Sequence, residues 1–129
     1  MNKLLAEWIS KAEGDYAVAK REMEAKESNY DAICFHSQQM AEKYIKAFLF
    51  KNEVKFPKVH SLIELLELCY PIEPTLREQR GIFERLEDYA VLFRYPGVSA
   101  DYDNAEESLI AAESIRDIMR ALLKLDDQP

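Results

Sequence analysis

The chain has 129 residues and a mass of 15.0 kDa, enough for one domain and too little for a second core of ordinary size. Hydrophobic residues make up 48% and charged residues 32%, a balance that suits a folding chain, and no run of about 20 apolar residues is present to span a bilayer. Seventeen Lys and Arg against twenty-four Asp and Glu give a formal charge of −7, which argues against docking on nucleic acid or anionic lipid through net charge alone.

Three glycines and five prolines are too few for a sheet protein rich in tight turns, so helices are expected throughout. In the first segment Leu5, Trp8, Ala12, Tyr16, Ala19 and Met23 recur at steps of three and four, which predicts a long amphipathic helix over about residues 2 to 27. Ser28-Asn29-Tyr30-Asp31 offers turn and N-cap chemistry. Ala32, Ile33, His36, Met40, Tyr44, Ala47 and Phe48 then form the stripe of a second helix that runs to about Phe50. The other side of that helix carries Gln38, Gln39, Glu42, Lys43 and Lys46, a polar set for an element expected at the centre of a small bundle.

Pro57 breaks the pattern over residues 51 to 59, which predicts a connecting loop. Ser61 is placed to cap a short third helix over LIELLELC, and Pro71 and Pro74 end it. A fourth helix is expected from Pro74 or Thr75 to about Ala90, facing inward through Leu76, Ile82, Phe83, Leu86 and Tyr89. Pro96-Gly97 forces a turn, and Asp103 or Asn104 is expected to cap a fifth helix over about residues 105 to 125. Its inward face reads Leu109, Ala112, Ile115, Met119, Leu122 and Leu125.

The charge is uneven. Residues 1 to 65 hold ten basic and ten acidic side chains, whereas residues 66 to 129 hold seven and fourteen, so the whole −7 falls in the second half. Between Lys43 and His60 stand Lys43, Lys46, Lys51, Lys55 and Lys58 against Glu53, a local basic stretch that suits either a solvated loop or an anion site.

Gly14, Gly81 and Gly97 are too dispersed for a phosphate-binding glycine loop. With His36 and His60 as the two histidines, and neither HExxH nor CxxC, no metal site and no cofactor are expected. Cys34 and His36 are two apart on a helix and therefore point about 200° apart, which makes a side-by-side nucleophile and base unfavourable. The two unpaired cysteines and a start with acidic residues in place of an apolar signal core suggest a cytoplasmic protein with reduced thiols. Gln39, Glu42 and Lys43 on the second helix, with Arg94 in the RYPG turn, form the remaining candidate cluster. A guanidinium there needs either an internal carboxylate, with Glu42 as the candidate, or an anionic ligand.

CFHSQQMAEKYIKAFLF at 34 to 50, PKVHSLIELLELC at 57 to 69 and LEDYAVLFRYPG at 86 to 97 resemble, in that order, the HEPN family of small helical bacterial and archaeal domains. The resemblance covers about residues 2 to 125. It implies one all-α domain, an up-and-down bundle of four to five helices that forms a homodimer and is often paired with a minimal nucleotidyltransferase in a toxin–antitoxin-like module. Many members are metal-independent ribonucleases with an Arg followed four to six residues later by His. Here Tyr95, Pro96, Gly97, Val98, Ser99, Ala100 and Asp101 follow Arg94, and no histidine stands in the window.

Three readings follow. The first is a noncatalytic homodimeric module that binds a nucleotide or other phosphorylated anion through Arg94, Lys43, Glu42, Gln39, Tyr95 and His60, beside a nucleotidyltransferase partner. The second is an endoribonuclease toxin in which Tyr95, Tyr102 or His60 replaces the absent histidine. The third is a purely structural role for a Glu42–Arg94 ion pair. Tyr89, Leu92, Phe93 and Tyr95, close to the turn, are expected to supply the dimer surface.

Overall fold

A computed structural model describes residues 1–58 and 61–125. Five α-helices occur among them, α1 (Lys3–Glu24), α2 (Tyr30–Lys51), α3 (Leu62–Cys69), α4 (Arg80–Leu92) and α5 (Tyr102–Leu122), with a 3-10 helix at Pro74–Gln79 and no strand. Of these, α2 touches every other α-helix, so it is the central column of the bundle.

Local chemistry explains the boundaries. The Asn2 side chain accepts the N–H groups of Leu4 and Leu5 at the start of α1, and Asn29 accepts that of Ala32 at the start of α2. Ser61 caps α3 as expected, accepting from Glu64 N. The predicted start of the fourth helix is corrected. Pro74 opens a 3-10 turn that buries Leu76, and α-helical geometry begins only at Arg80. Neither Glu73 before the 3-10 turn nor Gln79 before α4 makes a side-chain cap bond. The cap of α5 is also corrected. Asp101 accepts the Asn104 N–H at 2.8 Å while the Asn104 side chain accepts the Asp101 N–H at 3.0 Å, a reciprocal box that starts the helix three residues earlier. Gly97 adopts φ +89° in the turn after α4, the left-handed backbone that glycine takes without penalty.

The main core joins Leu5 and Ala12 of α1, Met40, Tyr44, Ile45 and Leu49 of α2, Leu65 and Leu66 of α3, Phe83 and Leu86 of α4, and Ile115 and Met119 of α5. Ala19, Ile33 and Ala105 form a smaller cluster at the other end. The α1 and α5 stripes thus bury the faces expected from their periodicity, whereas α2 is buried on its polar side as well, through Gln38, Glu42 and Lys46. Among the described residues, no helix is long and apolar enough to cross a membrane.

A polar tie joins α1, α2 and α5 at the rim of the core. Arg116 donates from Nε and Nη2 to the two Glu13 oxygens at 2.8 and 2.7 Å, and the Tyr44 hydroxyl donates to the same carboxylate. Burial pushes the Glu13 carboxyl up, but bonds from Arg116 and Tyr44 and the charges of Arg116 and Arg120 outweigh it and hold it below its ordinary value. Tyr44 is pushed up to about 12, first by burial and then by its bond to Glu13.

Candidate functional site

Arg94 lies two residues beyond the end of α4, and among the described residues it makes no ion pair and no side-chain hydrogen bond. Pro96 and Gly97 turn the chain away immediately after it, which leaves the guanidinium exposed. It stands between two cavities. One, of about 470 Å³, is lined by Asn29, Asp31, Phe35, His36, Phe93 and Arg94, among others, and opens at the first turn of α2. The other, of about 260 Å³, is lined by Gln38, Ser61, Glu87, Ala90, Val91 and Arg94.

The proposed partner of Arg94 is elsewhere. Glu42 is 3% exposed and accepts from Lys46 Nζ at 3.2 Å, one turn along the same helix. Gln38, Glu42 and Lys46 form one buried polar row at i, i+4 and i+8, with the Lys46 ammonium over the Trp8 ring. No bond joins Glu42 to Arg94, so the internal pair that the sequence allowed is not formed.

Gln39 donates to Gln38 Oε1 at 2.8 Å, and Lys43 donates to Asp15 Oδ2 at 2.5 Å. Lys43 therefore points to α1 and lines neither cavity beside Arg94. Tyr95 is 61% exposed next to Arg94. His60 lies outside the described residues. The six residues singled out by sequence thus separate into Arg94 and Tyr95 at the turn, and Gln39, Glu42 and Lys43 held within α2 or against α1.

Two residues absent from that set, His36 and Asp15, meet at the Arg94 cavity. His36 lines the larger cavity with Arg94, and its Nδ1 is hydrogen-bonded to Asp15 Oδ1 at 2.8 Å. Asp15 is nearly buried and receives Lys43 on its other oxygen, so one carboxylate orients an imidazole and an ammonium. A signal for Asp15 existed in the sequence. It falls three after Ala12 and four before Ala19, an acid inside the apolar stripe of α1, and such a residue needs a partner. His36 was visible as a stripe member, and its separation from Cys34 is as expected, since the Cys34 sulfur accepts from Ser108 on α5. Burial, foremost, pushes the Cys34 thiol up, and burial raises Cys69 to about 12, so neither is an activated nucleophile.

Glu87 shapes the smaller cavity. Reaching from α4, it accepts the backbone N–H of Leu62 at 2.5 Å, with longer contacts from Ile63 N and Ser61 Oγ at 3.5 Å. An internal carboxylate therefore occupies the N-terminus of α3, where an anion would otherwise be favoured. Among the described residues no group of three or more His, Cys, Asp or Glu is placed to hold a metal ion.

Among the described residues, five α-helices bring an exposed arginine and a carboxylate-held histidine to one surface pocket. Residues 5–122 match the family described as the HEPN domain, and the chain belongs to that family. It is similar to a protein of Methanocaldococcus jannaschii named "Putative toxin MJ1304", with 30% identity over 133 residues that cover 91% of this chain and 86% of that protein. No solved structure matches the chain.

Proposed function

We propose that the protein is a nucleotide- or anion-binding interaction module, acting with a minimal nucleotidyltransferase partner in a toxin–antitoxin-like pair and forming a homodimer. The observation that carries this reading is Arg94, an exposed guanidinium at the junction of two cavities with no carboxylate on it among the described residues. A planar five-donor cation in that state suits phosphate, which it binds through paired N–H donors. The −7 charge disfavours a long polyanion more than a small ligand that meets one local cation. Similarity to a relative named as a toxin supports the pairing.

Thermal-shift titration with nucleotides, run beside Arg94→Ala, tests the reading. Stabilisation that rises with ligand concentration and disappears in the variant is the expected result. Equal stabilisation of both proteins, or none of either, overturns it.

One observation favours a second reading, a metal-independent endoribonuclease. His36 stands in the Arg94 pocket although no histidine follows Arg94 in the chain. An imidazole oriented by a carboxylate beside a phosphate ligand has the components of general acid–base chemistry. Incubation with RNA on a gel separates the readings, because intact RNA in the presence of nucleotide-dependent stabilisation leaves the binding module alone.

A further inference from the structure

We infer that the cavity at the opposite end of α2 from Arg94 is a binding site for a small apolar carboxylate, a medium-chain aliphatic acid. Its chain would lie on Leu5, Phe50, Val54 and Phe56, and its carboxylate would meet the ammonium groups of Lys51 and Lys55. The site is independent of the reading of Arg94 as a phosphate ligand.

The cavity, of about 560 Å³, is made by the way α2 ends. The Val54 N–H donates to Leu49 O at 2.9 Å, the Glu53 N–H donates to Phe50 O at 3.1 Å, and Glu53 takes φ +58°. The chain thereby folds back over the last turn of the helix in the left-handed cap that glycine usually supplies. The loop that follows brings Phe56 to α1, where its ring meets Trp8 edge-on at 6.3 Å between centroids. A trough remains between loop and helices, lined by buried Leu5 of α1 and by half-buried Phe50, Val54 and Phe56. It is larger than either cavity beside Arg94 and has the size of an ordinary small-molecule site.

The half-buried apolar side chains favour an apolar ligand, and the charges around them select its sign. Lys51 donates to Leu123 O at 3.0 Å, a neutral acceptor that uses one of its three N–H groups and leaves its charge uncompensated. Lys55 is exposed, and among the described residues neither lysine makes an ion pair. Glu53 is the one carboxylate among the described residues that line the cavity, so two ammonium groups stand against it. In a chain of charge −7 this is a local excess of the opposite sign. An ammonium pairs as a point charge without the planar fork of a guanidinium, which suits a monoanion. The first and last turns of α2 are roughly 27 Å apart along its axis, so a ligand here does not reach the Arg94 cavities.

The probes are hexanoate, octanoate and decanoate, with octanol and octylamine as controls of equal chain length. Trp8 is the single tryptophan of the chain and packs on Phe56, so its fluorescence reports the cavity. Octanoate is expected to shift Trp8 emission saturably and to raise the melting temperature, as a ligand of the native state does. Affinity should rise about two- to fourfold for each added CH₂, the effect of burying a methylene. Octanoate should bind about two- to fivefold more tightly than octanol, with a gap that closes in high salt, and octylamine more weakly than either. Lys55→Glu should remove the preference for octanoate over octanol and keep the chain-length dependence. Should that variant fail to fold, intermolecular NOEs in the native protein decide, because octanoate methylenes should reach the ring protons of Phe50 and Phe56. Excess inorganic phosphate should not displace the acid.

The inference is overturned by a Trp8 signal that does not saturate, by a falling melting temperature, or by equal affinity for octanoate, octanol and octylamine. Displacement by phosphate, or NOEs only to residues outside this cavity, overturns it as well, since the acid would then occupy another site. Each of these results leaves nucleotide binding at Arg94 untouched, because that reading stands or falls on its own titration.

Discussion

Glu13 on α1 and Arg116 on α5 face each other as a two-pronged pair, with both carboxylate oxygens taken by guanidinium N–H groups at 2.7 and 2.8 Å. Tyr44 of α2 donates to the same carboxylate and Arg120 approaches it at 4.0 Å, so three helices converge on one acid. Its side chain is about one third exposed, which places the tie at the rim of the core rather than in its centre.

Glu13→Gln is expected to destabilise the fold by about 1 to 3 kcal/mol, the cost of losing hydrogen bonds to a charged acceptor. The midpoint of urea unfolding should fall with its slope unchanged. The pH dependence has a definite sign. Glu13 titrates below its ordinary value of 4.5 in the folded protein, so its contribution is fully present above that value. It is lost as pH falls through the lower folded-state value. The native protein should therefore lose stability on acidification below about 4.5, and the Gln variant should show a shallower decline over the same range. Identical acid slopes in the two proteins would sink this assignment.

Glu87→Gln is expected to act in opposite directions on stability and on ligand binding. The carboxylate accepts the first free N–H groups of α3, and weakening that cap should cost about 1 kcal/mol in denaturant unfolding. The same group lines the cavity on one side of Arg94. Removing its negative charge raises the local positive potential, so phosphate-containing ligands should bind more tightly and the gain should shrink with added salt. A variant that loses affinity together with stability would show that Glu87 supports the ligand and does not repel it.

Much of the fold was legible because it depends on local rules. Ser61 capped α3 where expected, and the apolar steps of α1 and α5 chose the buried faces, because period and cap chemistry are properties of neighbouring residues. The start of α5 was misplaced since Asp101, Asp103 and Asn104 are all competent caps and only the reciprocal bond distinguishes them. The site was legible in part. Arg94 stood out beside Pro96 and Gly97, but that it makes no ion pair among the described residues depends on where Glu42 goes. Glu42 turned to Lys46, four residues away on its own helix. The Asp15–His36 contact spans 21 residues between two helices, and a single sequence does not reveal which residues of two stripes meet.

Arg94→Ala separates a ligand-binding arginine from a structural one. The side chain is exposed and makes no bond among the described residues, so its removal should change stability by no more than about 0.5 kcal/mol. A loss of several kcal/mol, as expected from breaking a buried pair, would restore the structural role.

Both cysteines are buried, and their thiols are raised by burial, so a disulfide reagent at neutral pH should modify the native protein slowly. Modification should accelerate by orders of magnitude in denaturant and follow unfolding. Rapid reaction of one thiol under native conditions would reveal local opening around α3 or around the Cys34–Ser108 contact.

The apolar surface around Arg94 makes the assembly testable. Phe35 of α2, Val91 and Leu92 at the end of α4, and Tyr95 and Val98 in the following turn are all exposed. Single exposed apolar side chains are ordinary, but five from two adjoining segments beside a charged pocket suit burial against another surface. A second copy of the chain fits because a two-fold contact would match this patch to itself and bring two Arg94 side chains toward one groove. Sedimentation at micromolar concentration is therefore expected to show a dimer, and Leu92→Asp should shift it toward monomer with little change in the circular dichroism of the helices. Nucleotide affinity should fall along with dimer content if the groove is shared. A Leu92→Asp monomer with unchanged affinity would show that each protomer carries a complete site, and a native protein that sediments as a monomer would remove the homodimer altogether.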